Sequence, residues 1–182
     1  MHAYKSIVLS GNPGAGKSAL AAALSKEYGW PIYSIGGLWR EKYKEEHPGN
    51  DITFEEFWSR TTKEDNVKVN KQAKVIFEKG GVIGESRYTA ILDASVCLLV
   101  FVTADMATRA MRTSGREEYR GMSVQEITKI LERREQDELD MGHELYGMGY
   151  DYRDSKNYHI VIDSERLTVA QEVALVKGLM RK

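Results

Sequence analysis

Gly11-Asn12-Pro13-Gly14-Ala15-Gly16-Lys17-Ser18 fits the pattern G-x-x-x-x-G-K-[ST]. Glycines at these positions let the backbone wrap closely around a phosphate, so that successive N–H groups and a helix N-terminus point at the anion. Lys17 is spaced to reach the β and γ phosphates of a nucleoside triphosphate, and the Ser18 hydroxyl to ligate a divalent cation. The flanks are the ones this chemistry needs. Ser6-Ile7-Val8-Leu9-Ser10 is a short apolar strand, and Ser18 to Tyr28 is an Ala/Leu-rich helix closed by Gly29. The bland alternative is a Gly-rich turn with no ligand. From average residue usage a chance match in a chain this long is on the order of one in a hundred, and the correct flanks lower that further.

A phosphate loop alone does not separate a kinase from a GTPase switch or an ATPase motor. Thr62-Lys63-Glu64-Asp65 spells T-K-x-D, a guanine-reading pattern, but it follows a helix rather than a buried strand. It reads as a chance run on a solvated surface. Cations near strand ends are more telling, because phosphoryl transfer depends on clamps that align and neutralise phosphates. Arg40 follows the second expected strand, Glu85 ends the third and Arg87 follows it. Two arginines above the carboxyl ends of parallel strands can hold a phosphate dianion by charge-assisted forks. Alone, each reads more readily as an ordinary solvated surface arginine. Asp163 rivals Glu85, since Ile160-Val161-Ile162-Asp163 is also an apolar strand ending in an acid.

The elements that must position these groups alternate. Strands are expected at Ser6–Ser10, Pro31–Ile35, Gly81–Glu85, Val96–Val102 and His159–Asp163. Val96–Val102 is apolar on both faces and reads as central. Helices are expected at Gly37–Glu46 with Pro48-Gly49 as its stop, from Thr53, over Val67–Lys79, over Asp105–Thr113, from Ser123 to about Met141, and from Thr168 nearly to Lys182. Thr53/Glu56, Ser123/Glu126 and Thr168/Gln171 have capping-box spacing. Five short buried strands alternating with helices predict an α/β fold with a parallel sheet between helical layers. Arg134 falls on the helix face of Ile127, Ile130 and Leu131 and is expected inward, with Arg133 toward solvent.

The chain has 182 residues, 26 Lys+Arg against 27 Asp+Glu and a net charge of -1. That balance argues against a nucleic-acid-coating or membrane-surface protein. The longest apolar run, Val96–Val102, is far short of the roughly 20 residues that span a bilayer. Met1 to Ser6 leads straight into a strand rather than a signal-peptide core. A single cysteine, Cys97, fits a core position in a reducing cytoplasm, and the histidines have no metal-ligand spacing. Length and composition read as one domain, 1–182. Trp39, Trp58 and Tyr43 flank the Arg40 region and read as helix packing rather than base stacking.

Over nearly its whole length the chain resembles the cytidylate kinase family, especially its archaeal-type branch, among the P-loop nucleoside monophosphate kinases. Ser34-Ile35-Gly36-Gly37-Leu38-Trp39-Arg40-Glu41 is similar to the segment after strand two, Gly84-Glu85-Ser86-Arg87 to the E-G-R ending strand three, and Arg109 to Glu117 to the lid entry R-x-x-R-x-x-x-R-E. Arg134-Glu135, Tyr146-Gly147 and Asn157 to Ser164 resemble the lid helix and final strand. The chain departs at Ser86, where the family has Gly, at Met141-Gly142, where it has Arg-Tyr, and over Thr62 to Lys71, where it reads the base.

The resemblance implies a three-layer α/β/α P-loop fold with a five-stranded parallel sheet, an acceptor-binding helical region over 36–80 and a lid over 114–150. It implies ATP- and Mg²⁺-dependent phosphoryl transfer to a nucleoside monophosphate, CMP or dCMP. Gly11, Asn12, Pro13, Gly14, Ala15, Gly16, Lys17, Ser18, Ala19 and Arg112 would hold ATP. Ser18 and Glu85 would serve Mg²⁺, and Gly36, Arg40 and Arg87 the acceptor. Lys17, Arg87, Arg112, Arg116 and Arg134 would act in catalysis. Partners are then small nucleotides, with no nucleic-acid polymer and no membrane, and the expected state is a cytoplasmic monomer or weak homodimer. A small-metabolite kinase on the same scaffold and an ATP-binding module without transfer are the alternatives. The near-zero net charge is compatible with a phosphate site if Lys17, Arg40, Arg87, Arg109, Arg112, Arg116 and Arg134 converge while Glu45, Glu46, Asp137 and Glu138 neutralise the exterior.

Overall fold

The computed structural model describes residues 3–49 and 51–181, apart from the side chains of Glu55 and Glu118. Met1 and His2 of the N-terminal segment, Asn50, and Lys182 beside the end of the expected closing helix lie outside the described residues. Strands β1 (Ser6–Gly11), β2 (Ile32–Ser34), β3 (Ile83–Glu85), β4 (Cys97–Thr103) and β5 (Ile160–Asp163) form one sheet in the order β2-β3-β1-β4-β5. Every pairing is parallel. The central position goes to β1 rather than to the more apolar Val96–Val102 segment, which lies between β1 and β5. The phosphate loop thus leaves the middle of the sheet at its carboxyl edge.

Alternation along the strands divides the core. Ile7 and Leu9 with Leu98, Val100 and Val102 face Leu20 and Leu24 of α1 (Lys17–Tyr28) and Val176 and Met180 of α7 (Val169–Met180). The intervening residues Val8, Cys97 and Leu99 meet Ala73 and Phe77 of α4 (Lys63–Lys79) on the other face. A period of two on two-sided strands forces these three layers. Cys97 is a buried free thiol, as a core residue should be.

Helices α2 (Ile35–Glu46), α3 (Phe54–Ser59) and α4 fill the passage from β2 to β3, while α5 (Met106–Ser114) and α6 (Val124–Tyr146) fill that from β4 to β5. Short 3₁₀ turns at Glu117–Tyr119 and Ser155–Asn157 carry no periodic sequence signal. Strand ends shift by a residue or two from expectation, and three helix boundaries shift further or for a clear local reason. The α2 helix starts at Ile35, because the Ser34 hydroxyl caps it by accepting from the Gly37 N–H. Helix α4 starts at Lys63 because Thr62 and Asp65 form a capping box, so the T-K-x-D run is a helix start. Helix α6 runs on to Tyr146 and stops at Gly147, with φ +94°.

Candidate active site

The phosphate loop is shaped by backbone that tolerates no side chain at two points. A Cβ on Gly11 would lie 2.0 Å from the Val102 carbonyl oxygen, and one on Gly14 2.8 Å from that of Arg109. Both have positive φ, +139° and +80°. The loop therefore packs closely against β4 and α5. Lys17 Nζ donates to the Gly11 and Asn12 carbonyls, each at 2.7 Å. Burial, and next the charge of Arg87, hold the Lys17 ammonium well below its ordinary pKa. A group in this state gains from an anion.

The loop opens into a cleft of about 310 Å³. Its walls carry Pro13, Gly14, Gly16, Lys17, Ser18 and Ala19 on one side and Gly36, Arg40, Glu85 and Arg87 on the other, with Arg112, Arg116 and Arg134 above. All the residues expected to bind substrate or metal or to act in catalysis, except Gly11, Asn12 and Ala15, thus line one cleft, although they come from separate elements. Ser18 Oγ donates to Glu85 Oε1 at 3.0 Å. Asp163, the rival acid, pairs with Arg166 at 3.1 Å and does not line the cleft. The hydroxyl and carboxylate suit Mg²⁺, which takes few protein oxygens and fills its shell with phosphates and water.

Arg40 Nη1 donates to the Gly36 carbonyl at 3.2 Å, and the guanidinium sits over the Phe54 ring. Arg87 is fixed more firmly. Its carbonyl accepts from Ser10 Oγ at 3.1 Å, Nη1 donates to the Gly11 carbonyl, and Nη2 donates to Glu138 Oε1 at 2.6 Å. Ser86, buried in place of a glycine, donates its hydroxyl to the Tyr88 carbonyl at 3.1 Å. Arg112 donates to Ser164 Oγ at 2.8 Å and to its carbonyl at 3.0 Å, which holds it beside Gly16. Arg134 donates to the Tyr119 hydroxyl at 3.4 Å, and Arg133 points to solvent as expected.

Two expectations fail. Arg109 is buried outside the cleft, where it donates to the Ala104 and Pro13 carbonyls and pairs with Glu135. It sits on the α5 face that packs under the loop, so it braces the loop rather than meeting a phosphate. Glu138 does not neutralise the exterior. Its position three residues beyond Glu135 turns it into the cleft, where it is buried beside Arg87.

The aromatic residues divide. Trp39 is buried against Phe57 and Trp58, and Tyr43 donates its hydroxyl to the Ile52 carbonyl, but Trp58 and Phe54 line the cleft. Met141, where the resembled family has an arginine, packs into a cluster with Tyr88, Phe101 and Tyr152. Sequence reasoning missed Asn66 and Asn70, both buried on α4 and both lining the cleft. A signal was present, because they continue the face of Ala73 and Phe77 and are polar where the helical pattern calls for apolar residues. Asn66 Nδ2 donates to Thr61 Oγ1 and the Thr62 carbonyl, which leaves its Oδ1 to accept from a ligand.

The sequence model of a cytidylate kinase-like family matches residues 6–166. The chain belongs to this family. It is similar to the cytidylate kinases of Methanopyrus kandleri, 29% identical over 94% of this chain and 91% of the relative, and of Pyrobaculum aerophilum, 30% identical over 93% and 89%. Solved structures with a similar fold include an uncharacterised protein from Eubacterium ventriosum, with TM-score 0.70, 19% identity and coverage of 97% and 99%. A shikimate kinase from Bacteroides thetaiotaomicron has TM-score 0.59 at 14% identity, covering 97% and 98%. A gluconokinase from Sinorhizobium meliloti has TM-score 0.58 at 16% identity, covering 100% and 94%. Phosphoryl transfer by a P-loop kinase is the chemistry that family membership supports. Among the described residues, no helix is long and apolar enough to cross a membrane.

Proposed function

We propose that the protein transfers the γ-phosphoryl group of ATP, with Mg²⁺, to the phosphate of a nucleoside monophosphate carrying cytosine. The observation that carries this reading is the opposition of Arg40 and Arg87 to the phosphate loop across a single cleft. Loop amides and Lys17 would hold the donor phosphates, with Lys17 leaving the Gly11 and Asn12 carbonyls to reach them. Arg40 and Arg87 would fix the acceptor phosphate in line. Arg112, Arg116 and Arg134 would spread the charge that develops between the two and help exclude water. Mg²⁺, bound through Ser18 and by water through Glu85, would neutralise the donor's β and γ oxygens. The region over 36–80 acts in this reading as the acceptor-binding part and that over 114–150 as the lid. Trp58 and Phe54 offer a flat wall for a base, and the fixed Asn66 oxygen favours one with an amino group.

The test is an ADP-release assay with ATP, Mg²⁺ and a panel of ribo- and deoxyribonucleoside monophosphates. Stimulation by CMP or dCMP above the no-acceptor rate is expected, and no stimulation by any monophosphate overturns the reading. One observation favours a hydroxyl-bearing small metabolite as acceptor instead. Met141 turns into the tyrosine cluster and supplies no cation. Turnover with such an acceptor, while all monophosphates stay inert, selects that alternative.

A further inference from the structure

Phosphate-to-phosphate transfer needs cations where the two substrates meet and has no step that calls for a carboxylate base. Yet the Glu138 carboxylate reaches into that place, with only 8% of its side chain exposed. One oxygen, Oε1, accepts from Arg87 Nη2 at 2.6 Å. The other, Oε2, is buried without a hydrogen-bond partner among the described residues. Lys17 and Arg134 line the same cleft. A buried carboxylate oxygen left unpaired is costly, so this carboxylate is held in place by its bond to Arg87 and by the surrounding positive charge.

The partner of this contact is three residues away on the same helix. Glu135 Oε1 accepts from Arg109 and from Asn12 Nδ2, the latter at 2.7 Å. Helix α6 is therefore held by two carboxylates of different kinds, Glu135 on the phosphate-loop side and Glu138 on Arg87, while the Tyr88 hydroxyl beside Arg87 donates to the Glu138 carbonyl at 2.8 Å. The Glu135 tie lies outside the cleft, and Arg109 is further held by two backbone carbonyls. The Glu138 tie uses a cation that a ligand can claim.

We propose that Glu138 is an internal occupant of the acceptor-phosphate position, whose hold on Arg87 an entering phosphate must break, releasing the outer part of α6 while the Glu135 tie remains as its pivot. This rests on the reading of Arg87 as an acceptor clamp. The proposal makes acceptor affinity a competition: the share of molecules with Arg87 released sets the apparent dissociation constant. It also couples acceptor arrival to the helix that carries Arg134.

Calorimetry with inorganic phosphate tests it, using protein whose donor loop is saturated by a non-hydrolysable ATP analogue. Glu138→Gln keeps the shape and can still accept from Arg87 but removes the charge; it is expected to bind phosphate about fivefold tighter or more. Glu138→Asp, which keeps the charge, is expected to stay within about twofold of wild type. Equal or weaker phosphate binding by Glu138→Gln, or equal tightening in both variants, overturns the proposal. Wild-type protein gives an independent measurement in case a variant does not fold. Phosphate is expected to speed hydrogen exchange over 138–146 more than over 124–135, and a uniform or absent change overturns the proposal. Failure of the ATP analogue to bind would instead count against the kinase reading itself.

Discussion

The two sides of the cleft are built in different ways. The donor side is one contiguous loop whose shape is set by backbone: Gly11 lies against the Val102 carbonyl, Gly14 against α5, and buried Arg109 is locked beneath. The acceptor side is assembled from side chains on α2, α3, α4, α6 and the end of β3, and its central cation is held by a carboxylate from a distant helix. A backbone-built site is rigid before any ligand arrives. A site built from long side chains can be rearranged by its ligand and tuned without disturbing the sheet.

The largest test of that contrast is Lys17→Ala, expected to lower turnover on the order of 10³-fold with every acceptor, since it removes a charge placed at the developing transition state. A loss below tenfold would break the assignment of the donor side. Next comes Arg109→Ala, which leaves Glu135 without its buried cation and should cost about 3 kcal/mol of stability. Thermal melting should then fall by roughly 6–12 °C, and a melting point unchanged within 2 °C would show that the donor side is not braced in this way. Arg87→Ala is expected to raise the acceptor KM by roughly tenfold or more while the ATP KM stays within about twofold. Equal effects on both substrates would erase the division between the two sides.

The smallest effect is a proton. Burial and Arg87 depress the Lys17 pKa in the free protein. Donor phosphates favour the charged ammonium, so binding should take up protons as pH rises through the free-state value, and affinity should weaken in the alkaline direction. Calorimetry of an ATP analogue in buffers of different ionisation enthalpy reads this uptake, which should vanish in Lys17→Met. The same uptake in that variant would assign it to another group.

This division also explains what could be read beforehand. Gly11 to Ser18 carries its function in local spacing, and the alternating strands of Ile7 to Leu9 and Cys97 to Val102 carry the layer order. Arg40, Glu85 and Arg87 were found through their places at strand ends and through resemblance. Arg109 and Glu138 were misjudged because both depend on which way a helix is rotated against its neighbours. A stretch of α6 that is polar or charged at every position, Arg133 to Glu138, gives no single periodic answer. Asn66 and Asn70 broke an apolar face, but only packing of α4 against the cleft gives that break a meaning. The extension of α4 back to Lys63 turned on recognising Thr62 and Asp65 as a cap rather than a fragment of another motif.

The link from Asn12 to Glu135 bears on how interchangeable such loops are. In the pattern G-x-x-x-x-G-K-[ST], Asn12 stands at a position where any residue is allowed. Here its amide donates to Glu135 while its oxygen accepts from the Thr103 hydroxyl at 3.2 Å. The motif records what the ligand needs; this residue answers to the scaffold. A phosphate loop transplanted from another protein, with every glycine and the lysine preserved but without Asn12, would leave Glu135 to Arg109 alone and loosen the fit of helix α6 against the loop.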